Sequence, residues 1–163
     1  MKYAGAGSFQ RNRPLLSFAA GYAGRMADYS FRIATQDDIQ AITDIYNAAV
    51  IRGGSSADTT PRTYAQRKAW VESHHDPYAV FVTTVPATDA ATEGGERIIG
   101  FSALSVFYDR AGYDGVTDLA YYIAPEWQGR GAGTFTLAKL LDECRNRHMP
   151  AASSSPTTAD PSH

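Results

Sequence analysis

The sequence predicts an α/β (α+β) fold, a mostly antiparallel sheet flanked by helices. Three observations carry this expectation. Apolar residues recur at helical spacing in three separate segments. Around them lie β-branched and aromatic runs that read as strands. The last three of those runs are joined by loops with no helix between them, which favours antiparallel neighbours over crossover connections. At 163 residues the chain is one domain by size, and an apolar fraction of 44% is enough for a core.

Residues 1–25 stand apart. Lys2, Arg11 and Arg13 are their charges before Arg25, and the first acid is Asp28. "PLLSFAAGYAG" follows basic residues as a secretory signal would, but Gly21 and Gly24 interrupt it, and the composition favours a disordered extension. Met26 stands just before the first patterned segment and is expected as the natural start. "YSFRIA" is then a strand. Thr35 caps a helix with Asp37 and Asp38 in its first turn, where negative charge suits the helix dipole. Ile39, Ile42, Ile45, Tyr46, Ala49 and Val50 share one face of it, and Gly53-Gly54 ends it.

Thr60 followed by Pro61 predicts the start of a second helix, carrying Tyr64, Ala65, Lys68, Ala69 and Trp70 and ending near His74-His75-Asp76-Pro77. "YAVFVTTV" is a strand, "PATDAATEGGE" a polar loop, and "RIIGFSALSVF" a longer strand in which Gly100 marks a bulge or a close approach. "YDRAGYDG" is an excursion before the strand "VTDLAYYIAP". A glycine-rich loop leads into a helix bearing Phe135, Leu137, Ala138, Leu140, Leu141 and Cys144. The final "MPAASSSPTTADPSH" has no apolar periodicity and three prolines, so it reads as a disordered tail.

Composition narrows the partners. A net charge of -2 with 20% charged residues gives no reason to expect nucleic acid or an anionic membrane. No run of about 18 apolar residues exists to span a bilayer. A single cysteine excludes an internal disulfide and a cysteine-built metal site, and it suits a reducing compartment, so a cytoplasmic protein is expected. His74 and His75 have no third ligand at metal spacing and read as capping and surface residues; Cys144, Trp70 and Trp127 read as packing residues.

The chemistry is concentrated in Gln128-Gly129-Arg130-Gly131-Ala132-Gly133, between a strand end and a helix start. The first amides of a helix lack internal partners, its dipole is positive at that end, and glycines let an anion come close. A phosphate-like ligand is the natural occupant; a plain tight turn is the other reading. A P-loop would need a lysine where Ala132-Gly133-Thr134 stands, and Thr134 occupies the third glycine position of a dinucleotide fingerprint, so neither motif applies.

The pattern Q-x-x-G-x-G, carried by Gln128, Gly131 and Gly133, resembles the acyl-CoA pyrophosphate loop of the GNAT acetyltransferase superfamily, and the element order matches through the helix after the loop. "RIATQDDIQAITDIYNAAV", "TPRTYAQRKAWVESHHDPYAVFV" and "GFSALSVFYDRAGYDGVTDLAYYIAPEWQGRGAG" are similar to the phosphinothricin acetyltransferase branch, over about Phe31 to Arg147. Those enzymes acetylate the α-amino group of small amino-acid analogues. The resemblance implies acetyl-CoA as co-substrate, a small-molecule amine acceptor of the phosphinothricin or methionine sulfoximine type, and a homodimer. It implies that the amides of Gly129, Gly131, Gly133 and Thr134 hold the pyrophosphate, with Gln128 and Arg130 beside it, and that the backbone at Tyr122 and Ile123 pairs with the pantetheine arm. Asp118 falls where the branch carries a glutamate general base. Tyr113 falls where an aromatic lines the acceptor pocket, with Arg110 just ahead of it. Asp is one methylene shorter than Glu, and a bridging water would restore its reach.

The resemblance stops after the glycine-loop helix. The family continues with a fifth strand, a helix that commonly supplies a tyrosine to protonate the leaving thiolate, and further strands. The expectation is therefore a GNAT-like fold lacking its C-terminal strands and helix, with residues 26–148 a partial domain and 149–163 a disordered or out-of-frame tail. An inactive acyl-CoA-binding fragment, or a partner-binding fragment whose open strand edge pairs with another chain, are the alternatives to an active enzyme.

Overall fold

The β-branched runs form the strands and the amphipathic segments the helices, in the predicted order. The structure, a computed structural model, describes residues 28–54, 56–88, 95–108, 111–113, 116–149 and 151–152. The elements are β1 (Ser30–Ile33), α1 (Ile39–Arg52), α2 (Tyr64–Glu72), β2 (Ala79–Pro86), β3 (Glu96–Val106), β4 (Thr117–Ile123), α3 (Ala132–Asn146) and β5 (Ala151–Ala152). The sheet order is β1-β2-β3-β4-β5, antiparallel through β4. Beyond the strands the sequence predicts, β5 pairs in parallel with β4 over two residues, at Thr117 and Asp118.

The helices take opposite faces of the sheet because strand side chains alternate. Ile42, Ile45, Tyr46 and Val50 of α1 pack on Val80, Val82, Phe101 and Ala103, with Trp70 and Val71 of α2 joining them. Leu140 and Cys144 of α3 pack on Phe81 and Leu104 from the other side, together with Met149. Ile39, Ile42, Ile99, Leu104 and Leu140 are fully buried; burial of such a side chain contributes about 1.5–3 kcal/mol.

Gly100 is both a bulge and a close approach. Thr83 pairs with Gly100 but Thr84 pairs with Ile98, so Ile99 is an extra residue on β3. The extra residue breaks the alternation: Ile99 packs with Ala132 of α3, whereas Phe101 packs on the α1 side. On the other edge of Gly100, an added Cβ would lie 2.8 Å from the Tyr122 carbonyl oxygen and 2.6 Å from Ile123 Cδ1.

Two local expectations shift. The Thr35 amide donates to Asp38 Oδ2 (2.7 Å), but the first turn, Gln36–Asp38, is a 3-10 turn that leads into α1. Asp38 is buried and forks onto Arg32 (2.6 and 3.0 Å), tying β1 to α1. The second helix starts at Tyr64 with Thr63 as cap, not at Thr60-Pro61. Thr63 Oγ1 accepts from the Gln66 amide (3.2 Å) and Gln66 Oε1 from the Thr63 amide (2.9 Å). That reciprocal pair satisfies two helix-end donors, and Thr60 has only Thr63 three residues on, which has no carbonyl side chain to return the bond.

Candidate functional site

β4, the loop after it and the first turn of α3 position the site residues described, apart from Tyr113, which precedes β4. Tyr122 turns toward α1: its ring stacks on Phe101 (5.1 Å) and meets Tyr46 edge-on (5.3 Å). Burial pushes the Tyr122 phenol pKa up. Asp118 and Ala120 share that face by the two-residue period, while Leu119 packs into the α3 cluster. Asp118 Oδ1 is sealed from solvent and has no hydrogen-bond partner among the described residues. β5 covers β4 at Thr117 and Asp118, and among the described residues Leu119–Ile123 have no strand on that side. Their outward amides and carbonyls can pair with an extended ligand arm.

At the end of β4 the chain makes a 3-10 turn, Pro125–Trp127, and then two positive-φ glycines, Gly129 (72°) and Gly131 (87°). Only glycine takes such angles without strain. The Phe135 amide bonds the Gly131 carbonyl (3.0 Å), so the amides of Ala132, Gly133 and Thr134 enter α3 with no intrahelical acceptor. No acid stands in the first turn of α3. The Arg130 guanidinium lies over the Trp127 ring (5.3 Å), and its carbonyl accepts from Tyr29 Oη (2.8 Å). A positive helix end with free amides and adjacent arginines suits a phosphate group.

Gln128 is a brace: Nε2 donates to the Ile123 carbonyl (3.0 Å) and Oε1 accepts from Arg52 Nη1 (2.5 Å). This clasp closes one wall of a cavity of about 320 Å³ between the end of α1, Gly53-Gly54 and the β4–α3 loop. Gly133 is less constrained than the loop glycines: an added Cβ would make ordinary contacts at 3.7 Å with Tyr121 and 3.9 Å with Ile123.

Tyr113 lies in a 3-10 turn ahead of β4, exposed, with its ring against Phe107 (5.6 Å) and Tyr108 (5.8 Å). Arg110 lies outside the described residues. Cys144 is buried as expected, and burial pushes its thiol pKa up.

Three features escape sequence reasoning. Arg52 has one local signal, its position just before Gly53-Gly54. Arg67 is buried, with its guanidinium 3.7 Å from the Tyr46 ring and 4.6 Å from the Trp70 ring; burial lowers its pKa, and its Nε has no hydrogen-bond partner among the described residues. His74 is half-buried and bonded at both ring nitrogens, not a surface residue: Nδ1 is 2.8 Å from the Trp70 carbonyl and Nε2 is 2.9 Å from Ser105 Oγ. The turn after α2 tucks it edge-on beneath Trp70 (4.6 Å).

Known proteins are similar to this chain in sequence and fold. A phosphinothricin N-acetyltransferase from Streptomyces coelicolor is 31% identical over 71% of the chain and 65% of its own length. An N-acetyltransferase from Streptomyces griseus is 31% identical over 71% of the chain and 59% of its own length. The chain thus spans less than two thirds of these relatives. A GNAT superfamily phosphinothricin acetyltransferase from Sinorhizobium meliloti, solved in complex with AcCoA, superposes with a TM-score of 0.60 at 26% identity, over 72% of this chain and 60% of that one. The acetyltransferase (GNAT) family itself matches residues 39–160, the stretch that holds the open β4 edge and the free-amide loop, and the chain belongs to that family.

Proposed function

We propose that the chain is an N-acetyltransferase that uses acetyl-CoA and acts on the amine of a small amino-acid-like acceptor of the phosphinothricin or methionine sulfoximine type. One observation carries this reading. Asp118, with a sealed and unpartnered carboxylate oxygen, and the free amides at the start of α3 stand at opposite ends of one strand with an open edge. A carboxylate to take a proton and an anion site to anchor a ligand are thereby one extended arm's length apart.

The residues suit acetyl-CoA. The loop and helix amides at Gly129, Gly131, Gly133 and Thr134 would hold the pyrophosphate, with Arg130 beside it and Gln128 bracing the loop. The outward backbone at Ile123 would pair with the pantetheine arm, whereas the Tyr122 carbonyl faces Gly100 of β3 and is turned away from that edge. Bound there, acetyl-CoA supplies an acetyl group activated as a thioester. Asp118 accepts a proton from the acceptor ammonium, directly or through one water, a role that contributes typically about 10²–10⁴-fold. Tyr113 would border the acceptor side. Backbone donors of β4 can polarise the thioester oxygen.

The test pairs binding with turnover. Calorimetry with acetyl-CoA should show micromolar binding and a raised melting temperature. Asp118→Asn should lower acetyl transfer to phosphinothricin or methionine sulfone by about 10²-fold or more, with acetyl-CoA affinity little changed. Equal turnover would remove Asp118 from the mechanism. A second reading, a partner-binding fragment, draws on the same open edge at Leu119–Ile123; a salt-resistant stoichiometric complex formed without acyl-CoA would favour it.

A further inference from the structure

Acetylating an ammonium strips two protons from its nitrogen, one before attack and one after the C–N bond forms. The leaving thiolate consumes one of them. One proton per turnover must therefore leave the site, a carboxylate that has taken the first must lose it before it can take another, and Asp118 has a route for it.

Ser105 is the register partner of Asp118 across β3 and β4. Directly opposed side chains share a face, with Cβ atoms about 5 Å apart. Ser105 Oγ lies 2.9 Å from His74 Nε2, and His74 Nδ1 lies 2.8 Å from the Trp70 carbonyl oxygen. A carbonyl can only accept, so Nδ1 carries the hydrogen and Nε2 of the neutral ring accepts from the Ser105 hydroxyl. On the other side of Ser105, Asp118 Oδ1 is sealed and, among the described residues, unpartnered; a turn about the Asp118 side-chain bonds would bring the carboxylate to the hydroxyl across the paired strands. Burial pushes the His74 pKa down; the bond to the Trp70 carbonyl opposes this by less, and His75 and Arg67 add smaller contributions to the lowering. Asp76, Tyr78 and Arg147 line a second cavity, of about 250 Å³, against the ring. Across the sheet, Asp118 opposes Ser105, the hydroxyl bonded to the ring.

We infer that Ser105 and His74 form a proton relay behind Asp118, as positioning residues that empty the carboxylate for its second proton. The inference rests on the acetyltransferase reading. The acceptor ammonium gives a proton to the Asp118 carboxylate. Once the Asp118 carboxyl has turned onto Ser105, its proton passes to Ser105 Oγ as the Ser105 hydroxyl proton passes to His74 Nε2. Asp118 is then a carboxylate again, Ser105 a hydroxyl, and His74 an imidazolium with a proton on each nitrogen. No electrons are gained or lost and no bond to carbon changes.

Two measurements on the full chain test it. The first is an NMR titration of the His74 ring in the wild type and in Asp118→Asn. The relay requires the Nδ1–H tautomer, and it requires the His74 midpoint to fall when the Asp118 charge is removed. An Nε2–H tautomer, or one midpoint in both proteins, overturns it. The second is acetyl transfer to L-methionine sulfone as a function of pH. Neutral His74 accepts the proton, so activity rises with pH through the His74 titration. Ser105→Ala should lose that limb and about tenfold in kcat, with acetyl-CoA affinity unchanged, and Ser105→Thr should restore both. Equal pH profiles in Ser105→Ala and wild type overturn the relay, whereas a merely structural Ser105 would move stability and not the profile. If the wild type itself transfers no acetyl group, that outcome counts against the acetyltransferase reading, and the titration alone supports or overturns the relay.

Discussion

Gly100 of β3 approaches Tyr122 of β4 so closely that a Cβ on the glycine would sit 2.8 Å from the Tyr122 carbonyl oxygen. The obstructing atom is backbone, so it cannot swing aside as a side chain would. Gly100→Ala should therefore destabilise the fold by about 1–3 kcal/mol, the usual cost of overpacking a core. In urea denaturation the midpoint should drop with an unchanged slope. A stability equal to wild type would show that β4 can shift outward without loss.

The loop and helix glycines should respond in opposite ways. Gly131 has φ of 87° and open space around its would-be Cβ, so Gly131→Ala meets only backbone strain, about 1–2 kcal/mol. Gly133 is within α3 and has room for a methyl at ordinary contact distance. Gly133→Ala should raise stability by about 0.5–1 kcal/mol through helix propensity. If the amides at this helix end hold a pyrophosphate, the same methyl should weaken acetyl-CoA binding. Calorimetry and thermal melts on one protein read both effects; a stabilised variant with undiminished affinity would move the anion site off this turn.

Arg52 holds Gln128 from 76 positions away in sequence, at 2.5 Å. Both side chains are exposed, so the bond itself adds little to stability. Its effect should appear in the loop it braces. Arg52→Met should lower acetyl-CoA affinity by about 5–10-fold, near 1–1.4 kcal/mol, with the melting temperature almost unchanged. Unaltered affinity would show that the loop holds its shape without the clasp.

Asp38 ties acid stability to β1. Burial pushes its carboxyl pKa up, but the Arg32 guanidinium and the Thr35 amide and hydroxyl outweigh that and hold it below the usual carboxylate value. A lowered folded-state pKa means that the contribution is present above the unfolded value of about 4 and is lost as pH falls through the folded one. Stability should therefore decline below about pH 4. Asp38→Asn should be less stable at pH 7 and show a shallower acid limb. The check is chemical denaturation between pH 2 and 7; parallel curves for the two proteins would place the acid limb elsewhere.

The sequence by itself determined what depends on near neighbours along the chain. The apolar period of α1, the strand runs, the antiparallel order of β2 to β4 and the glycine loop are all set within a few residues, by side-chain spacing and backbone freedom. The loop's positive-φ glycines and the bulge at Gly100 were legible for the same reason. Only the tertiary structure decided what depends on register and closure. The extra residue at Ile99 shifts every pairing beyond it, and no local pattern counts that shift. The β3–β4 register then sets Ser105 opposite Asp118, and the packing of α2 against β3 turns His74 inward from what reads as a surface turn. The Arg52–Gln128 clasp and the Arg32–Glu96 pair likewise join residues that only the tertiary fold brings within hydrogen-bond reach. Local periodicity selects elements; the packing of one element on another selects which polar groups lose water together, and so which of them must find one another.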